Sequence, residues 1–119
     1  MLVAVDSGHG METAGKSTPP IPEAWFGKKK GEVIREKEFN KPAAEYLIKA
    51  LERNGFQTIN VSPGTTDVSL TDRYTRANNA KADIFVAKHY NASIGVWNNA
   101  NGIETIVSQY ASNNSRRLA

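Results

Sequence analysis

The 119-residue chain contains no cysteine. Disulfide scaffolds and thiolate zinc sites are thereby excluded, and any metal must be held by His, Asp or Glu. Histidine is almost as scarce: His9 and His89 are the only two. No apolar run approaches the roughly 18–20 residues a membrane span needs, so no span is expected. The start, MLVAVDSGHG, has neither a basic leader nor a small-residue cleavage site. No signal peptide is read there, although a processed leader would leave the same pattern. Internal repeats and low-complexity tracts are lacking too. Charge of one sign is barely in excess. A net +3 leans slightly toward an anionic partner, but an ordinary lysine-rich solvated surface explains it better.

What is there is the composition of one globular domain, long enough for a modest core. Leu2 to Val5 is an apolar run ending at Asp6 and reads as a buried strand. Residues 11–31, rich in Gly, Pro, Lys and Ser around Trp25 and Phe26, read as a long loop. Phe39, Ala43, Leu47 and Ala50–Leu51 recur at helical spacing. Because Pro42 is tolerated only in a first turn, the helix is expected to begin between Glu38 and Lys41 and to stop at Gly55. Phe56–Val61 reads as a second strand. Ser69 and Asp72 form a capping box opening a second helix, with Leu70, Tyr74 and Ala77 on one face. Ile84–Ala87 reads as a third strand and Gly102–Val107 as a fourth, and the polar tail from Gln109 to Ala119 could start a helix. Alternating strands and helices predict an α/β fold, a three-layer sandwich whose mostly parallel twisted sheet is flanked by helices.

His9 follows the first strand and His89 the third. In an open α/β sheet the carboxyl ends of the strands share one rim, where ligands bind. Two histidines there can converge on a metal, although each could instead be a hydrogen-bonded structural residue. A hydrolytic zinc site needs a third protein ligand and an open position. Glu36, just ahead of the first helix, is the best candidate, because a helix N-terminus favours a carboxylate. Glu32 and Glu38 compete on composition, and from the residues alone a plain helix-start acid is the preferred reading of Glu36.

The segments Asp6-Ser7-Gly8-His9-Gly10, Arg35-Glu36-Lys37-Glu38-Phe39-Asn40 and Lys88-His89-Tyr90-Asn91-Ala92 together resemble the zinc-dependent N-acetylmuramoyl-L-alanine amidases. That family has a GHG loop, an E-x-x-x-N helix opening and an H-x-N-A segment. Ser69-Leu70-Thr71-Asp72-Arg73 with Ala77-Asn78, and Gly102-Ile103-Glu104, are similar to its S-L-x-x-R…A-N helix and G-x-E strand. Each motif alone is weak; five in register across nearly the whole chain are strong. Thr13-Ala14-Gly15-Lys16 looks most like the phage-endolysin branch.

The resemblance implies Zn2+ held by His9, Glu36 and His89, since Asn40 lies four residues after Glu36 and selects it over Glu38. It implies hydrolysis of the amide between N-acetylmuramic acid and L-alanine in peptidoglycan, with zinc polarising the carbonyl and activating water. Asn91 is read as orienting His89 or contacting substrate or, equally, as capping a turn; Glu104 falls on the G-x-E strand and is read as a supporting residue in preference to a replacement base; Arg73 is read as a supporting residue. Arg73 is expected to anchor a carboxylate or a carbonyl. Trp25 and Phe26 are read as either a lip over a glycan groove or loop aromatics tucked against the body.

The family's general-base glutamate lies in an E-x-G-F-like segment that nothing after Val107 matches, so its place is expected beyond Ala119. On this reading residues 1–119 are the N-terminal two-thirds of the catalytic domain, with the C-terminal part missing. No catalytic base lies within the chain, and hydrolysis is impaired. The alternative is a non-catalytic module that binds zinc or wall fragments. The expected partner is peptidoglycan, with a wall-binding domain possible downstream. The site of action is the bacterial wall, reached by phage lysis or by secretion after processing. No nucleic-acid partner is expected, and a nucleotide-binding α/β domain is disfavoured because Gly8-His9-Gly10 lacks both G-x-G-x-x-G and G-x-x-x-x-G-K-[ST].

Overall fold

The computed structural model describes residues 1–91 and 95–119. Its elements are β1 (Leu2–Ser7), α1 (Glu36–Arg53), β2 (Gln57–Asn60), α2 (Leu70–Asn79), β3 (Ile84–Lys88) and α3 (Asn113–Leu118). The three strands form a parallel sheet in the order β2-β1-β3. β1 is therefore central. Its near-continuous apolar sequence follows from that place, because both of its faces must be covered.

The period-two alternation of a strand sends Val3 and Val5 to one side and Ala4 to the other. Val3, Val5 and Ala44 of α1 form one core, closed by Leu47, Ile48, Leu51, Phe56, Ile84 and Val86. Ala4, Val61 and Ala77 of α2 form the opposite core with Ile59 and Ala82. One helix on each face of the sheet makes the expected three layers. None of the helices is long and apolar enough to cross a membrane among the described residues.

Four sequence expectations are corrected. Helix α1 starts at Glu36, so Pro42 lies in its second turn. The earlier start is stabilised by Glu38, whose Oε2 accepts from the Arg35 backbone N–H at 2.8 Å. Proline then leaves the Glu38 carbonyl without its usual helical donor. The buried face of α2 carries Arg73 and Ala77, while Leu70 and Tyr74 are exposed. At its N-cap, Ser69 Oγ accepts from Asp72 N–H at 3.1 Å but donates to the Asp72 carboxylate at 2.7 Å. The box therefore closes through side chains instead of reciprocally. Residues 102–107 form no strand. Strands exist by pairing, and β-propensity does not substitute for a partner. Ile103 and Ile106 are accordingly 97% and 80% exposed.

The polar tail does form a helix, the six-residue α3. Ser112 caps its start by accepting from the Ser115 N–H at 3.2 Å. Ala119 caps its other end, where its N–H donates to the Ser115 carbonyl at 3.2 Å.

Candidate metal centre

β1 ends at Ser7, and the chain turns through Gly8, His9 and Gly10. His9 has φ 60°, in the left-handed region that non-glycine residues seldom occupy. Two side chains of α1 hold this turn. Asn40 Nδ2 donates to the Gly8 carbonyl at 3.1 Å. Lys37 Nζ donates to the Ser7 carbonyl at 2.6 Å, to Ser7 Oγ at 2.7 Å and to the Ser62 carbonyl at 3.2 Å. Both side chains are buried, and a separation of three residues puts them on one face of the helix. Burial pushes the Lys37 ammonium below its usual range, Arg73 adds to this by repulsion, and Asp6 opposes it.

His89 immediately follows β3. Gly8 N–H donates to the Lys88 carbonyl at 3.0 Å, which carries the β1–β3 pairing up to the turn. A side chain at position 8 would collide with the His89 imidazole, so glycine is what lets that ring approach. The rings of His9 and His89 lie edge to face, 4.8 Å between centroids.

Glu36 Oε2 is 3.5 Å from His9 Nε2 and 3.9 Å from His89 Nδ1. One ligand atom from each of the three residues lies within 4.8 Å of the others. An ion with four ligands at about 2.0–2.1 Å separates them by roughly 3.4 Å. Two imidazoles and one carboxylate are also a donor set that zinc accepts. The donor chemistry fits such an ion, and the three ligand atoms would have to draw together, the widest separation by more than about an ångström, to hold it. Burial lowers the His9 pKa below 6.5, with Glu36 opposing and His89 reinforcing. His9 thus stays in the neutral form that a metal requires.

Of the rival acids, Glu38 caps α1 and pairs with Lys28 at 2.9 Å. Glu32 accepts from the Lys29 backbone. Neither joins the cluster. Arg73 Nη1 reaches both oxygens of buried Asp6 at 3.1 Å, and Nη2 reaches Asp67 Oδ1 at 2.5 Å. Its Nε donates to the Val68 carbonyl at 2.7 Å. Asn91 Nδ2 donates to Glu104 Oε2 at 3.4 Å. Ala92, the last residue of the H-x-N-A segment, lies outside the described residues.

A cleft of about 220 Å³ beside the histidines is lined by His9, Asp67, Val68, Ser69, Leu70, Arg73 and His89. Its carboxylate, Asp67, is one that no sequence motif singles out. The Thr13 hydroxyl and Arg73 hold its pKa below the ordinary value against a smaller opposing effect of burial. Lys37 escapes sequence reasoning in the same way, since nothing local in Glu-Lys-Glu announces a buried ammonium.

The comparisons bear on this geometry. The family described as N-acetylmuramoyl-L-alanine amidase matches residues 3–119. The chain belongs to that amidase family. Among curated relatives, N-acetylmuramoyl-L-alanine amidase LytC of Bacillus subtilis (strain 168) is 30% identical over 118 residues, 98% of this chain and 21% of that protein. Uncharacterized protein YqiI of the same strain is also 30% identical over 118 residues, 98% of this chain and 50% of its own length. In solved structures, the catalytic domain of CwlV, an N-acetylmuramoyl-L-alanine amidase from Bacillus (Paenibacillus) polymyxa var. colistinus, is similar with a TM-score of 0.60. The identity is 29%, over 77% of this chain and 46% of that one. The chain therefore spans half or less of the length of these three proteins.

Proposed function

We propose that this chain carries the metal-binding part of a zinc-dependent amidase domain. Its substrate is the amide between N-acetylmuramic acid and L-alanine in peptidoglycan, at the bacterial cell wall. The observation that carries the reading is the convergence of His9, Glu36 and His89, from three separate segments, within 4.8 Å. A zinc ion bound there supplies carbonyl polarisation and an activated water.

The chain's own residues do the rest. His9 and His89 each offer one ring nitrogen, and Glu36 offers a carboxylate oxygen that would offset part of the ion's charge. Lys37 and Asn40 fix the backbone that carries His9. Asp67 is a weak base, because its oxygens already accept from Thr13 and Arg73. The cleft thus has no poised general base among its described residues, and such a group typically contributes about 10²–10⁴-fold in rate. Slow turnover is therefore expected of the 119-residue chain.

The test has two parts. Metal analysis of the wild type and of His9→Ala, Glu36→Ala and His89→Ala should show one zinc in the first and loss in each variant. Release of L-alanine amino termini from purified walls should depend on added zinc. Zinc retained by a variant removes that residue from the site. Metal binding with no turnover at all favours the binding-module reading.

A further inference from the structure

One cluster beside the candidate metal centre is not used by it. Phe39 stacks on Tyr90, with ring centroids 4.2 Å apart and planes 17° from parallel. Phe26 lies 4.8 Å from Phe39, its plane tilted by 33°. Trp25 joins at 6.0 Å from Phe26 and 6.2 Å from Phe39. These rings come from a loop, a helix and the segment after β3, yet they form one column. Trp25, Phe26 and Tyr90 remain 50%, 46% and 47% exposed.

The column is built, not incidental. Trp25 and Lys28 exchange two backbone hydrogen bonds of 3.1 and 2.8 Å. Between them Phe26 and Gly27 have φ of 53° and 72°, the two left-handed residues of a type I′ turn. A bulky residue at positive φ is a real outlier, and such strain concentrates at binding sites. Lys28 Nζ also pairs with Glu38 at 2.9 Å, which ties the turn to α1. The strained residue, Phe26, has its ring against Phe39.

The position is as telling as the construction. Phe39 is three residues after Glu36, hence on a neighbouring helix position about 5–6 Å away. Tyr90 is the residue after His89. The column therefore flanks two of the three metal-site residues. An amide joining a sugar-linked acyl group to a peptide, held at that site, has a pyranose ring within a few bonds of its carbonyl. Such a ring offers a flat face of C–H bonds to an aromatic surface, with polar groups around its edge left to water.

We infer that Trp25, Phe26 and Tyr90, backed by Phe39, form a stacking subsite for an N-acetylated hexosamine ring of the glycan. This rests on the amidase reading, but it can be tested apart from it. The probe is a peptide-free N-acetylglucosamine oligomer, titrated into the full chain by calorimetry, with and without zinc. The informative variant is Phe26→Gly, because glycine accepts the turn's positive φ and the fold is kept. Trp25→Ala is the second.

The wild type should bind the oligomer in the absence of zinc, and each variant should weaken it about fivefold or more, as expected for loss of an aromatic contact. Zinc content should be the same in all three. Undetectable binding by the wild type, or equal binding by Phe26→Gly, overturns the subsite. Self-association that Phe26→Gly abolishes and the oligomer does not disturb assigns the column to a second copy and also overturns it. Oligomer binding without amide cleavage leaves the subsite standing while the amidase reading falls. Cleavage with unchanged KM in Phe26→Gly does the reverse.

Discussion

Replacing Arg73 by alanine removes the cation from a pair whose partners, Arg73 and Asp6, have side chains only 4% and 3% exposed. Asp6 would keep the Ser62 hydroxyl, which donates to its Oδ1 at 2.5 Å, but would lose both contacts from Nη1. Breaking a buried pair by deleting one partner costs about 3–5 kcal/mol, because the remaining charge stays buried. The bond to Asp67, whose side chain is 35% exposed, adds little after solvent screening. A chain of 119 residues has an unfolding entropy of about 0.25 kcal/mol per kelvin at its midpoint. The expected loss is therefore about 12–20 °C in Tm. Circular dichroism melts of the metal-free protein read it directly. The double variant Asp6→Ala/Arg73→Ala should lose less than the sum of the single losses, since neither of the two charges is left facing the other's empty place. A loss under about 1 kcal/mol for Arg73→Ala, or strict additivity in the double variant, would refute the buried-pair account.

Three other outcomes are expected. Burial holds His9 below its ordinary 6.5, so as pH falls the unfolded chain takes up this proton first. The His9 contribution to metal-free stability is full above about pH 6.5 and fades as pH drops toward the folded-state pKa. Urea midpoints across that window should slope less in His9→Gln, and identical slopes would contradict the shift. Gly8→Ala drives a methyl group into the His89 ring, so zinc affinity, measured by competition with a chelating dye, should fall at least tenfold while the far-UV spectrum is kept. Unaltered affinity would mean that His89 can move aside freely. Pro42→Ala restores a donor to the second turn of α1 and should raise stability by about 1 kcal/mol or more in urea unfolding; a decrease would show that the ring's packing outweighs the bond.

How much of this was legible depended on range. β1 could be read because a strand covered on both faces is apolar throughout, and Ser69 because a cap lies three residues from its target. His9 and His89 were visible as the only imidazoles, each at a strand end. Glu36 was not separable from Glu32 and Glu38 by helix electrostatics, and only the family register chose it. Pro42 misled because its rule assumes a helix start that the Glu38 cap had already moved. Residues 102–107 have strand composition, but composition does not supply a partner. Lys37 reaches Ser7 and Ser62, residues far away in sequence, so no local pattern could disclose its role. The partners of Trp25 and Phe26 are distant in the same way.

The three residues of the candidate metal centre sit on the turn after β1, the first residue of α1 and the residue after β3. An ion gripping all three would close two long loops of a chain that has no cysteine, and closing loops removes freedom mainly from the unfolded state. The centre would then be a rivet as well as a reaction site. Losing the ion would loosen the sheet rim together with the helix start, and inactivation by chelators would surface as protease sensitivity.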